Sequence, residues 1–275
     1  MLKDTNICFI GAGAMATAMI AGLYKKELLQ PENIIASDPY LGQLEKLGER
    51  YHINTTQNNQ EAVKEQNIIV LAVKPQNLDE IGEQLQGRIP ARAVVVSIIA
   101  GATIAKISQV LHHYRVVRVM PNTPARVGKG MSVWTATEEV DETQRQQTQA
   151  ILAALGEELY VDQENYMDMA TALSGTGPAY VFLFMEAMID AGVHMGFPRR
   201  VAEQLVFQTI DGSVAFARDS GRHAAELRNM VTSPGGTTAD ALYQLEKGGF
   251  RTVLSKAIFA AYKKSRQLGG LKDNE

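Results

Sequence analysis

Cysteine is nearly absent from this chain of 275 residues: Cys8 is its single thiol. One cysteine excludes an intramolecular disulfide framework and fits a reducing compartment. Within the short apolar run Ile7-Cys8-Phe9-Ile10 it reads as an inert buried thiol rather than a nucleophile. No uninterrupted apolar stretch reaches the ~20 residues of a membrane span. The amino-terminal Met1-Leu2-Lys3-Asp4-Thr5 enters a strand with no signal-peptide hydrophobic region. Basic blocks and acidic tails are missing too, and the formal charge is −3. These absences argue against nucleic acid and membrane as partners and lead to the expectation of a cytoplasmic protein. No cluster of Cys and His exists, so no metal site is expected. His112 and His113 are adjacent, point apart on a helix and read as a solvated pair. No G-x-S-x-G nucleophile elbow appears.

What is present is a change of pattern part-way along the chain. The first half alternates short apolar strands with amphipathic segments. Ile7–Ile10, Ile34–Ser37, Ile68–Val73, Val94–Ile99 and Val116–Met120 read as strands, with Met131–Thr135 and Glu158–Val161 following. Met15–Leu29 and Leu41–Tyr51 read as helices. Fully apolar strands separated by helices predict a sheet covered on both faces, mostly parallel and doubly wound. From about residue 163 only helical periodicity remains, broken at Ser174–Pro178, Gly196–Pro198, Ser220-Gly221, Ser233–Gly236 and Gly248-Gly249. The expected fold is therefore α/β, a Rossmann-type domain over residues 1–162 followed by an all-helical domain over 163–275. The last residues, Lys272–Glu275, are expected to fray.

Two glycine-rich runs open helices. Ile10-Gly11-Ala12-Gly13-Ala14-Met15-Ala16 fits G-x-G-x-x-A directly after a strand. Gly11 would make the tight turn, Gly13 would let a pyrophosphate approach, and Ala16 would pack the helix against the sheet. The second run is Thr232-Ser233-Pro234-Gly235-Gly236-Thr237-Thr238-Ala239-Asp240. Unpartnered N–H groups and the positive end of a helix suit an anion as small as a carboxylate. One cradle matches a dinucleotide and the other an amino-acid carboxylate, a pairing that points to redox chemistry on an amino acid or its imine. Other candidates lie where strands end, the usual ligand-binding edge of an open sheet. They are Ala72-Val73-Lys74-Pro75, Ala100-Gly101 and the proline-flanked Asn122-Thr123, which would face a nicotinamide. Asp38 stands where an acid would meet the adenosine ribose. Pointed there, it favours NAD(H); pointed away, it leaves Ser37 for a 2′-phosphate.

The segment Ala179–Val193 is apolar on nearly every face except at Glu186 and Asp190. It reads either as the central helix of the second domain or as a helix buried also against another subunit.

Several runs resemble the pyrroline-5-carboxylate reductase family. They are Leu173-Ser174-Gly175-Thr176-Gly177-Pro178-Ala179-Tyr180, Asp211-Gly212-Ser213, Val231–Thr238 with Ala241-Leu242, Ala72–Pro75 and Met120–Pro124. The resemblance implies reduction of 1-pyrroline-5-carboxylate to L-proline with NADP(H) or NAD(H), by a homodimer or an assembly of dimers. By position, it implies that Ile10, Gly11, Ala12, Gly13, Ala14 and Met15 hold the pyrophosphate. Ser37 would lie near the adenosine ribose, Asn59 near the adenine, and Ala72, Val73, Lys74 and Pro75 along the cofactor. Ser233, Gly235, Gly236, Thr237 and Thr238 would bind the substrate carboxylate, with the Thr238 hydroxyl facing the imine nitrogen as the catalytic contact. Met230 stands where some members carry Asn and is given no ligand role. Two other classes compete. The β-hydroxyacid dehydrogenases share the amino-terminal pattern, but the stretch from Ser174 to Asp190 lacks the lysine they use. A nucleotide-sensing protein without catalysis would need no second cradle.

Overall fold

The computed structural model describes Leu2 and residues 5–270; the expected fraying of Lys272–Glu275 lies outside them. The strands are β1 (Ile7–Ile10), β2 (Ile34–Ser37), β3 (Asn54–Thr56), β4 (Ile68–Leu71), β5 (Val94–Ser97), β6 (Val116–Met120), β7 (Gly130–Ala136) and β8 (Gly156–Tyr160). They form one sheet in the order β3-β2-β1-β4-β5-β6-β7-β8. Between them run helices α1 (Ala14–Lys25), α2 (Leu41–Tyr51), α3 (Asn59–Ala62), α4 (Leu78–Leu85), α5 (Ile104–Leu111) and α6 (Glu142–Ala153).

The first six strands are parallel and follow the order of a Rossmann sheet. Val94, Val95 and Val96 and all of β4 are buried, as expected for strands covered on both faces. Two apolar layers flank the sheet, one built on Phe9, Val70 and Val96, the other on Ile10, Ile69 and Val95. Cys8 lies in the second layer, and burial pushes its thiol pKa far up, consistent with an inert side chain. β7 runs antiparallel to β6. The connection between them, residues 121–129, holds only a 3₁₀ turn and is too short for a crossover. The edge strand β3 escapes sequence reasoning because Asn-Thr-Thr is polar and exposed.

After residue 165 every regular element among the described residues is helical: α7 (Tyr166–Ala170), α8 (Gly177–His194), α9 (Arg199–Ser220), α10 (Ala224–Met230), α11 (Thr237–Lys247) and α12 (Phe250–Leu268). The chain forms two compact units, one of residues 1–176 with 261–275, the other of residues 177–260. Residues 163–176, expected in the helical domain, pack with the first unit, and so does the end of α12. A buried arginine explains both differences. Arg118 on β6 donates to Glu164 (2.8 Å) and to Asp168 (3.4 Å), and the Ser265 hydroxyl donates to the same Asp168 oxygen at 2.7 Å. Arg118 and Asp168 are each 4% exposed. A charge buried in the sheet needs partners, and those partners hold α7 and the end of α12 against it.

At the expected break Ser174–Pro178 a π turn, Thr171–Gly175, gives way through a bend at Thr176 to α8, which opens at Gly177-Pro178 within the helical run Tyr166–His194. That stretch is long and apolar enough to cross a membrane by length and composition. Within the second unit its residues Ile189 and Gly192 pack on Ala202 and Val206 of α9, while Phe182 and Leu183 are 59% and 67% exposed. Within the second unit much of the apolar surface of α8 is therefore exposed.

Candidate functional site

The carboxyl ends of β1 and β4 meet where the strand order reverses. Ala72 N–H donates to the Ile10 carbonyl at 2.8 Å. Gly11 follows with φ +95°, and a Cβ there would lie 2.6 Å from the Ala72 oxygen. Only glycine satisfies both conditions. Gly13 is different: it has an ordinary φ, and a Cβ on it would meet nothing within 4 Å. Neither packing nor backbone conformation requires glycine there. Gly13 also caps α1 without a side-chain hydrogen bond, and the first turn of that helix carries no acid. Open donors at an uncapped helix start, rimmed by exposed Gly13 and Ala14, fit a phosphate.

Asp38 is oriented by the structure. Its Oδ2 accepts from Ala12 N–H at 2.8 Å and its Oδ1 from Tyr40 N–H at 2.9 Å. Asp38 is bonded to the glycine turn, so the Ala12 N–H is already committed. Ser37 is only 1% exposed, and its hydroxyl donates to Asn59 Oδ1 at 2.7 Å. Asn59 Nδ2 donates in turn to Gln84 Oε1 at 2.7 Å. Asn59 and Gln84 are both partly exposed, on the rim of a polar cleft with Thr56 and Gln57.

The other strand ends are used partly by the protein. Ala72 and Val73 are half-buried, while Lys74 and Pro75 are exposed beside them. Ala100 is half-buried; Gly101 is buried, and its missing Cβ makes room for Leu268 of α12. Gly101 is therefore explained by packing within the first unit. The Asn122 side chain is committed as well: Oδ1 accepts from Met131 N–H at 2.9 Å, and Nδ2 lies 3.3 Å from the Ser174 carbonyl and 3.2 Å from its Oγ. His113, expected to be solvated, is buried with Nε2 at 2.8 Å from the Ala93 carbonyl, because its helix ends at His112 in a left-handed turn. Burial lowers its pKa, the nearby Arg115 lowers it further, and the Ala93 bond opposes them.

The second cradle lies in the helical unit. Gly236 caps α11 without a side-chain hydrogen bond, and Gly235 turns at φ +70°. A Cβ on Gly236 would clash with Ser233 Oγ, so the turn is closed around that hydroxyl. Ser233, Gly235 and Thr237 are exposed, and Thr238 is half-buried in the first turn of the helix. The predicted site residues thus lie at the strand ends and first helix start of the first unit and at the start of α11 in the second. Among the described residues no group of acids, histidines or cysteines is placed to hold a metal. Gln84, which shares the polar cleft with Asn59, carries no local motif that sequence reasoning could read.

The sheet order, the left-handed Gly11 at the switch point and the uncapped helix after it define the class: a Rossmann-type protein whose chain continues into a helical unit. Comparison with known proteins narrows this. Residues 164–268 match the family model described as pyrroline-5-carboxylate reductase dimerisation, and residues 6–101 match that of NADP oxidoreductase, coenzyme F420-dependent. Pyrroline-5-carboxylate reductase of a Synechocystis strain is 40% identical over 94% of this chain and 97% of its own. The Pseudomonas aeruginosa enzyme of that name is 40% identical over 97% and 98%. The crystal structure of Plasmodium falciparum pyrroline carboxylate reductase with NADP bound superposes with a TM-score of 0.90 at 33% identity, covering 97% of this chain and 99% of that one. This chain belongs to the pyrroline-5-carboxylate reductase family. A 3-hydroxyisobutyrate dehydrogenase of Mycobacterium tuberculosis, 14% identical with a TM-score of 0.52, shares the fold alone.

Proposed function

We propose that this protein reduces 1-pyrroline-5-carboxylate to L-proline, the last step of proline synthesis, using NADPH or NADH. One observation carries the reading: a single chain of this family holds two uncapped, glycine-entered helix starts, at Gly13 and at Gly236. The dinucleotide, when bound, supplies the hydride. Gly11, Gly13, Ala14 and Met15 hold its pyrophosphate, Asn59 meets the adenosine half, and Ala72–Pro75 and Ala100 line its path. Ser233, Gly235, Gly236 and Thr237 bind the substrate carboxylate through backbone donors and a hydroxyl. A cyclic imine takes its proton from solvent, so no strong side-chain acid is needed near α11. The Thr238 hydroxyl hydrogen-bonds the imine nitrogen and fixes the carbon for attack, so that rate comes mainly from positioning.

The protein works as a homodimer or an assembly of dimers. The exposed apolar side chains of α8, and the groove of Leu242, Leu245, Phe250, Leu254 and Ile258, support a partner on the helical unit. It is cytoplasmic and takes neither nucleic acid nor membrane as a partner. Steady-state assays test the activity. Oxidation of NADPH or NADH should accompany pyrroline-5-carboxylate, and no reduction of NAD(P)+ should accompany a panel of 3-hydroxyacids. Turnover of hydroxyacids alone, or of neither, overturns the reading.

A further inference from the structure

The residue between the two glycines of the first cradle is held from both sides. Ala12 N–H donates to Asp38 Oδ2 at 2.8 Å. The Ala12 carbonyl accepts from Gln43 Nε2 on α2, also at 2.8 Å, and from Thr17 Oγ1 at 3.4 Å. Gln43 Nε2 also lies 3.4 Å from Thr17 Oγ1, and Gly11 N–H donates to the Ser37 carbonyl at 2.8 Å. A turn flanked by two glycines has more backbone freedom to lose than any other, so an unbraced turn would bind a ligand only after being ordered. Peptide geometry gives the brace a direction. In a trans amide the N–H points opposite to the C=O. The amide joining Ala12 to Gly13 has its oxygen fixed towards Gln43. The Gly13 N–H is thereby turned away from that side chain, at the point where Gly13 is exposed and has open space beside it.

We propose that Gln43 is a positioning residue for dinucleotide binding: it holds the Ala12 carbonyl so that the Gly13 N–H is aimed at the phosphate before the ligand arrives, with Asp38 as the opposing arm of the clamp. The inference rests on the reading of this turn as the dinucleotide cradle. Gln43 is uncharged, so its effect does not depend on the 2′-phosphate that separates NADP+ from NAD+.

The test is titration of NAD+, NADP+ and ADP-ribose into the full-length protein, wild type and Gln43→Met. Methionine preserves length and removes the donor at a half-buried position. All three dissociation constants should rise by one common factor, about 3- to 10-fold, the worth of one ordinary hydrogen bond. The melting temperature of the free protein should fall slightly, because the same bond is lost there, so the titrations are run where both proteins stay folded. Kinetically, KM for NADPH and for NADH should rise by that factor, while kcat and the KM for the imine hold. In Gln43→Glu the carboxylate cannot donate to the carbonyl, and binding should be weaker again. Unchanged dissociation constants in Gln43→Met overturn the proposal, as does a change confined to NADP+. Failure of the wild type to bind any of the three removes the cradle reading itself, and the clamp falls with it.

Discussion

The side-chain amide of Asn122 donates to the carbonyl oxygen of Ser174 at 3.3 Å. Ser174 stands four residues before Pro178, which has no N–H to give that carbonyl. Asn122, on the turn after β6, supplies a donor from outside the helix and at the same time accepts from Met131 N–H. One side chain thus joins the proline-flanked turn, the antiparallel strand and the π turn. Replacing Asn122 with Ala should cost about 1–3 kcal/mol through the groups left unpaired, read as a lower melting temperature. Asn122→Asp keeps the bond from Met131 but sets a carboxylate against a carbonyl, and should be no more stable than Asn122→Ala.

The two glycines of the first turn should respond differently. Gly13→Val places its side chain in open space, so the free protein should melt as the wild type does while dinucleotide titration shows binding lost. Gly11→Val should destabilise the protein itself, because φ is +95° and the Ala72 oxygen occupies the Cβ position. Normal dinucleotide affinity in folded Gly13→Val would remove the phosphate from this site.

Thr238→Ala should lower kcat/KM for the imine about 10- to 100-fold, the worth of one hydrogen bond to a charged group, without abolishing turnover. The backbone donors around Gly236 survive the change. Wild-type rates in this variant would show that the hydroxyl makes no contact in the reaction.

Stability should carry a signature of His113. Its pKa in the folded protein lies below the ordinary 6.5, chiefly because the ring is buried. Above that value both folded and unfolded forms are neutral and the stabilisation is complete. As pH falls below it the unfolded chain takes up a proton that the folded chain refuses, so stability is lost until the folded ring also protonates. His113→Gln retains a donor for the Ala93 carbonyl but does not titrate. The drop in melting temperature between about pH 8 and about pH 5.5 should be smaller in that variant than in the wild type. Equal drops would mean that the ring protonates as easily folded as unfolded.

A mixing experiment addresses assembly. If the dinucleotide cradle of one subunit works with the Ser233–Thr238 cradle of its partner, Gly13→Val and Gly236→Trp subunits are each inactive alone. Dissociated and reassociated together, they should regain imine reduction, since a heterodimer then holds one site with both halves intact. Verified heterodimers without activity would place both halves of a site in one chain.

The sequence by itself determined the elements and the cradles. Apolar runs such as Ile7–Ile10 and Ile68–Leu71 are strands because strands buried on both faces are apolar nearly throughout. Glycine at 11 and at 235 is legible because left-handed backbone conformations favour it. These signals are local, and each is complete within a few residues. Only the tertiary structure decided the rest. The polar strand β3 forms because β2 offers an edge to pair with, not because Asn54–Thr56 has an apolar pattern. His113 is buried, Gly101 is packed and Asp38 faces a backbone amide because of residues 20, 167 and 26 positions away. The first unit extends past residue 162 because a buried guanidinium requires Glu164, Asp168 and, through Asp168, Ser265. Hydrogen-bond partners and charge compensation are set by distance in space, which the order of residues does not record.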